Sequence, residues 1–167
     1  MPLLSPRVVT GDLLEQPVEA IVNAWNRNVL PWWLLLPQGV SGAIKRRAGV
    51  APFRELRRFG PMPLGTAVHT SAGRLPFKAI IHVAGISMLW RSSRMSIQGS
   101  VESAMALVNQ HGFGSVAFPV IGAGTGGYPQ ADALQLMLDA FARVTSPASV
   151  AVVRYREMKG VQFCAFP

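Results

Sequence analysis

One cysteine, Cys164, stands among 167 residues, which excludes an intramolecular disulfide framework and a multi-cysteine zinc site and suits a reducing compartment. Cys164 itself reads as a small buried hydrophobe near the C-terminus. Long apolar runs are missing too: the longest, Val29 to Pro37, has nine residues, whereas a membrane span needs about 20. Met1 to Leu14 lacks the charged region, apolar stretch and cleavage site of a signal peptide, so a cytoplasmic chain with no membrane partner is expected. Histidine occurs three times, as His69, His82 and His111, with no metal-ligand spacing; structural roles are expected for all three, with no metal and no cofactor. Charged residues make up only 14% of the chain and hydrophobic ones 50%, a balance that excludes disorder for the whole chain. With no repeat, low-complexity tract or linker in sight, one domain over residues 1–167 is expected.

Acids are the scarcest charge. Eight Asp and Glu face 16 Lys and Arg, leaving +8. Arginine dominates the basic set, and its guanidinium favours planar, bidentate contact with phosphate or carboxylate, so a phosphate-bearing partner is favoured. The basic residues gather at Lys45-Arg46-Arg47, Arg54, Arg57-Arg58, and Arg91 with Arg94. Solvated helix faces account for most such clusters, yet the field they create would attract nucleic acid, which stands as a secondary partner without any recognised binding motif.

Short β-branched runs alternate with helical patterns, the signature of an α/β protein with a parallel or mixed sheet. The runs predict about six strands, at Arg7 to Thr10, Val18 to Asn23, Thr66 to Thr70, Phe77 to Val83, Ser115 to Ile121 and Ser149 to Tyr155. Helical stripes at Val101, Ala104, Met105 and Val108, and at Leu134, Met137, Leu138 and Phe141, read as core. Weaker helices are predicted over Ser41 to Ala48 and Pro52 to Arg58, and a further one over Ala131 to Ala142.

Three places carry chemistry. Phe118 to Pro129 runs from a hydrophobic strand through Gly122, Gly124, Gly126 and Gly127 into a helix, a loop able to wrap an anion such as a diphosphate. Gly122, Gly124 and Gly127 also match G-x-G-x-x-G, but only 40 residues follow Gly127, and Arg154 and Arg156 stand where a dinucleotide-binding fold needs an acid. The second place is Gly11-Asp12 after the first strand, with Asn23 and Asn26 at the end of the second, where open α/β sheets collect ligand groups. Each of these polar residues taken alone could simply close a turn or cap a helix. The third is Gln38 to Gly49, a small-residue turn opening a basic helix, in which Gly39, Val40 and Ser41 could face a second phosphate side and Ser41 alone reads as an N-cap.

Taken in order, these segments resemble the macrodomains, a family of ADP-ribose-binding modules. Gly11-Asp12 is similar to the family's Gly-Asp after its first strand, and Ala20-Ile-Val-Asn-Ala-Trp-Asn26 to its Ala-Ile-Val-Asn-Ala-Ala-Asn. Gly39-Val-Ser-Gly-Ala-Ile44 resembles Gly-Val-Asp-Gly-x-Ile, Phe77 to His82 the Lys-x-Ile-Ile-His strand, and Phe118 to Pro129 the Phe-Pro-x-Ile-Ser-Thr-Gly-x-x-Gly-Tyr-Pro loop. The resemblance covers most of the chain and implies a three-layer α/β/α sandwich around a mixed sheet of about six strands. It places Asp12 on an adenine amino group, Asn26 near the distal ribose, and the loops Gly39 to Ser41 and Gly122 to Gly127 on the diphosphate. The ligand set it implies is Asp12, Leu13, Asn23, Asn26, Gly39, Val40, Ser41, Gly122, Ala123, Gly124, Thr125, Gly126, Gly127 and Tyr128. Asn26 and Ser41 are its catalytic candidates, and ADP-ribose or an ADP-ribosylated protein or nucleic acid is the expected partner.

Two departures bear on activity. Ser41 stands where hydrolytic members carry an Asp that positions or activates water, and a serine hydroxyl is no general base at neutral pH without a base of its own. Gly122-Ala123 replaces a Ser-Thr pair, and Gly126 replaces an aromatic that lies over the distal ribose. Removal of ADP-ribose from a modified macromolecule is the expected use, with a non-catalytic reader, or a basic nucleic-acid binder with a vestigial cleft, as alternatives. The apolar segment Pro31 to Gln38 keeps three readings: a wall under the cleft, a flap in which Trp32 or Trp33 supplies the missing ring, or a partner or dimer contact.

Overall fold

The structure, a computed structural model, describes residues 3–29 and 39–155; the Trp32-Trp33 segment, Arg156 and Cys164 lie outside the described residues. Six strands form one sheet: β1 (Arg7–Thr10), β2 (Ala20–Asn26), β3 (Ala67–Thr70), β4 (Ala79–Ile86), β5 (Ser115–Pro119) and β6 (Ser149–Arg154). Their order is β1-β6-β5-β2-β4-β3, parallel throughout except for β3, which pairs antiparallel with β4 at one edge. The mixed six-stranded sheet is the expected one. Helices α1 (Gly39–Ala48) and α2 (Ala51–Arg57) pack on one face and α3 (Arg94–His111) and α4 (Gln130–Phe141) on the other, completing the three layers.

Strand alternation explains the two cores. In β2, Ala20 and Val22 point toward α3 and α4 beside Ile81, Val83 and Phe118, while Ile21 and Trp25 point toward α1 and α2 beside Phe53 and Leu56. The capping chemistry of α3 is complete: Ser93 and Ser96 exchange side-chain to backbone bonds at its start, and Gly112 closes its end at φ 67°. In α4 the buried stripe is Ala133, Leu136, Met137, Ala140 and Phe141, so Leu134 and Leu138, expected in the core, are only half-buried. The apolar face is wide enough for either stripe, and small Ala133 and Ala140 let the helix lie close to the sheet.

Among the boundaries that move, β4 runs on to Ile86 at the cleft, and three others bear on the site's polar and small residues. β2 starts at Ala20 and runs on to Asn26, so Asn23 lies within the strand and not after it. β5 stops at Pro119, which has no N–H for a ladder, although the apolar run continues to Ile121. α1 already includes Gly39 and Val40, which makes Ser41 the third helical residue and not an N-cap. Phe118 is fully buried edge-on to Phe141 at 5.1 Å, so Phe118→Ala should cost about 3–5 kcal/mol, read as a lower urea midpoint at unchanged slope.

Candidate functional site

Because β1, β6, β5, β2 and β4 run parallel, their C-terminal ends share one edge, and a cleft of about 1000 Å³ opens there. Strand order gives it two ends. Asp12, Leu13, Leu14, Val153 and Tyr155 line the β1–β6 end, while Asn26, Ile86 and Trp90 line the β2–β4 end. Between them lie the start of α1, through Gly39, Val40 and Ser41, and the turn after β5, through Gly122, Ala123, Gly124, Thr125 and Tyr128. Four strand intervals separate β1 from β4, about 19 Å at the usual spacing, the length of an extended dinucleotide-like ligand.

Asp12 caps the short 3-10 turn Leu13–Glu15, accepting from Leu14 N–H at 2.8 Å through Oδ1, while Arg47 donates to Oδ2 at 3.3 Å. The ion pair is solvent-exposed, hence weak and exchangeable, and a carboxylate with about four lone-pair sites can still accept from a ligand amine. Leu13 and Leu14 are buried beneath it and give this end an apolar floor.

Beneath the other half of the cleft runs a buried polar chain. Asn23 points to the α1 side, fully buried, with Nδ2 3.1 Å from His82 Nδ1 and Oδ1 2.6 Å from Ser41 Oγ. An amide nitrogen only donates, so His82 Nδ1 accepts and its proton sits on Nε2, from which it donates to Thr70 Oγ1 at 2.8 Å. Thr70 in turn donates to the Ser71 carbonyl at 3.0 Å. Burial pushes the His82 imidazole down to about 3, with His69 adding to the effect, so the ring stays neutral and the direction of the chain is fixed. At its head, Ser41 Oγ shares its one proton between Asn23 Oδ1 and the Ala24 carbonyl, 3.1 Å away. The serine therefore turns lone pairs toward the cleft. An Asp at this position would set a carboxylate against those same two oxygens.

Asn26 ends β2 half-buried, its Oδ1 accepting from Asn28 N–H at 2.8 Å. That bond aims Nδ2, the donor end, away from the turn. Asn28 holds the turn in the left-handed region, φ 56°, and donates 2.9 Å bonds to the Leu56 and Gly60 carbonyls.

After β5 the chain turns through Gly122, Gly124 and Gly127 at φ 89°, 75° and 71°, conformations that side-chain-bearing residues rarely adopt. Gly126 is needed for another reason: a Cβ there would collide with Ser92 Oγ. Ser92 donates its N–H to the Gly126 carbonyl and its hydroxyl to the Gly85 carbonyl, which fastens the loop after β4 against the glycine turn. No acid occupies the first turn of α1, so its positive end faces the cleft uncompensated, with Arg46 on the wall nearby.

Of the expected ligand residues, Asp12, Leu13, Asn26, Gly39, Val40, Ser41, Gly122, Ala123, Gly124, Thr125 and Tyr128 all line this cleft. Three do not. Asn23 lies under Ser41, Gly126 is buried beneath Ser92, and Gly127 is exposed at the C-cap of the turn. Sequence reading missed Trp90, Arg46, Gln130 and Tyr155 on the cleft walls and Asn28 behind it. The polar doublet of Asn26 and Asn28 hinted at the turn; nothing local marks Trp90. The rings of His69 and His111, far apart in sequence, meet at 4.1 Å with a tilt of 54°, yet among the described residues no group of three His, Cys, Asp or Glu could hold a metal.

Asn23→Ala should strand the His82 acceptor and free the Ser41 proton, costing about 1–3 kcal/mol in denaturant titration. Because the folded His82 pKa lies below its unfolded value of about 6.5, the unfolded chain binds the extra proton. Stability is full above pH 6.5 and falls below it, by up to about 1.4 kcal/mol per pH unit, as pH drops toward 3. The gap in urea midpoint between the wild type and His82→Gln should accordingly narrow between pH 7 and pH 5.

The same architecture occurs in known proteins. The Oceanobacillus iheyensis macrodomain with ADP superposes with a TM-score of 0.75 at 28% identity, over 90% of this chain and 83% of that one. The Trypanosoma brucei macrodomain in complex with ADP-ribose, at 24% identity and a TM-score of 0.75 over 89% of this chain and 62% of that one, shares the fold. By sequence, the O-acetyl-ADP-ribose deacetylase of Citrobacter rodentium is 36% identical over 162 residues, 90% of this chain and 88% of that protein. Its namesake in Escherichia coli (strain K12) is 37% identical over 137 residues, 77% and 73% of the two chains. The Macro domain family model matches residues 22–137, and with these relatives it makes the chain a member of the macro domain family.

Proposed function

We propose that this protein binds ADP-ribose along the cleft and hydrolyses an ester carried on its distal ribose, the O-acetyl ester foremost. One observation carries the reading: a single cleft at the strand ends joins Asp12 at one end, Asn26 at the other, and both phosphate-facing loops between them. Adenine lies on Leu13 and Leu14 with its amino group at Asp12, the diphosphate between Gly39–Ser41 and Gly122–Gly124, and the distal ribose at Asn26. Relatives named O-acetyl-ADP-ribose deacetylase, and an Oceanobacillus iheyensis macrodomain mutant solved with ADPR, support this choice of ligand. They favour the acetyl ester over ADP-ribose held on a protein or nucleic acid, which asks for hydrolysis at the same ribose.

The chemistry follows from donors and acceptors. A water held by the Ser41 lone pairs attacks the acetyl carbonyl carbon, and Asn26 Nδ2 donates to the carbonyl oxygen as negative charge develops there. The bond from that carbon to the ribose oxygen then breaks, one proton of the water passes to the ribose oxygen, and ADP-ribose leaves with acetic acid, which gives the other proton to solvent as it becomes acetate. Ser41 orients and does not deprotonate, so positioning takes the place of a carboxylate base. A single domain working in the cytoplasm fits one cysteine and the absence, among the described residues, of any helix able to cross a membrane.

Calorimetric titration should give ADP-ribose binding that is selective over AMP and weakened at least tenfold in Asp12→Ala; no heat with ADP-ribose would overturn the reading. Acetate release from O-acetyl-ADP-ribose should fall about tenfold in kcat for Ser41→Ala, the worth of one hydrogen bond. Asn26→Ala should lower kcat far more than affinity, and equal losses would remove its role at the carbonyl. Binding without any acetate release would make the protein a reader.

A further inference from the structure

Beyond Asn26, outside the main cleft but opening beside it, lies a notch of about 20 Å³ lined by Asn26, Arg27, Val29, Ser87, Met88 and Trp90. Asn26 and Trp90 line both spaces, so the notch adjoins the cleft at this end. About 10–15 Å³ is the least that holds one water, so the notch takes a single water-sized group. Several of its polar atoms have partners already: Ser87 Oγ accepts from Arg91 N–H, Arg27 Nε donates to the Met62 carbonyl, and Asn26 Oδ1 accepts from Asn28, which leaves Asn26 Nδ2 as a donor at its mouth. The surface it presents is mostly apolar, from Val29, Met88 and the Trp90 ring, which suits a methyl group better than a polar one.

The backbone around the notch is held at a cost. Among the described residues, the only non-glycine positions with positive φ are Asn28, at 56°, and Trp90, at 57°, and both flank it. For a ring as bulky as tryptophan that conformation is an outlier, kept only where the surroundings impose it. They do so here: Trp90 N–H donates to the Ser87 carbonyl, Ser87 N–H to the Arg91 carbonyl, and Ser92 is fastened to Gly85 and Gly126. Since Gly126 leaves the space that Ser92 fills, the bare glycine turn and the placing of Trp90 are one arrangement.

We propose that this notch is the acyl pocket, taking the methyl group of an acetyl ester on the distal ribose and rejecting longer acyl chains. The proposal rests on the hydrolase reading above and adds to it a limit on acyl length, with Val29, Met88 and Trp90 as the specificity-determining residues. The carbonyl lies at Asn26 and the methyl beyond it. During attack the carbonyl carbon gains the water oxygen and loses the ribose oxygen while the methyl stays in place.

The test compares acetyl, propionyl and butyryl esters of ADP-ribose by kcat/KM. Each methylene the notch cannot hold should lower kcat/KM by tenfold or more, so the butyryl to acetyl ratio of the wild type is small. Met88→Ala and Val29→Ala, both at exposed positions and so tolerated by the fold, should each raise that ratio at least tenfold. Equal turnover of all three esters by the wild type, or an unchanged ratio in both variants, would overturn the proposal. If no ester is hydrolysed, the hydrolase reading fails by itself, and binding decides the notch: acetylated ADP-ribose bound more tightly than ADP-ribose, with the difference lost in Met88→Ala, upholds it, and equal affinities overturn it.

Discussion

Five neighbouring strands run parallel, and a parallel pair can be joined only by a crossover that carries the chain back to the edge where it began. All five C-terminal ends therefore emerge on one side, and each exit supplies one part of the cleft: Asp12 after β1, Tyr155 after β6, the glycine turn after β5, Asn26 at the end of β2 and Trp90 after β4. Strand order then fixes their sequence in space. Residues 12 and 26 are close in the chain, yet they stand at opposite ends of the cleft because β6 and β5 lie between β1 and β2.

On that frame the buried chain from Ser41 through Asn23 and His82 to Thr70 does what a lone serine cannot. It ties α1 to the three strands β2, β4 and β3, and it settles which way the Ser41 proton points. A neutral histidine is essential to that direction, since an imidazolium would place a donor against the Asn23 amide nitrogen. Replacing the family's carboxylate by serine thus changes more than acidity. It joins a helix start to the sheet through a network in which every named member has a partner, an arrangement that rigidifies rather than weakens a buried site.

Much of this was legible in the sequence, for physical reasons that differ by residue. The strands were visible because β-branched runs bury two faces of a parallel sheet, and the glycine turn because three positive φ angles leave few other choices. Asp12, Asn26 and the small residues Gly39 to Ser41 were visible as polar or small groups closing apolar runs. Asn23 was visible in the same way, but its place under Ser41 and not in the cleft was not, since that depends on β2 continuing three residues further and on His82, 59 residues away, lying beside it. Trp90 was invisible for a similar reason. Its place is set by Ser92 seating on Gly126 across the fold, and local pattern reads it only as an exposed aromatic in a loop.

Polarity of binding is what the whole account depends on, so a crystal structure with ADP-ribose is its most direct test. The account predicts adenine over Leu13 and Leu14 with its amino nitrogen at Asp12, the diphosphate between Ser41 and Gly124, and the distal ribose within hydrogen-bond reach of Asn26 Nδ2. A nucleotide bound in the reverse sense, or outside the strand-end cleft, would contradict it.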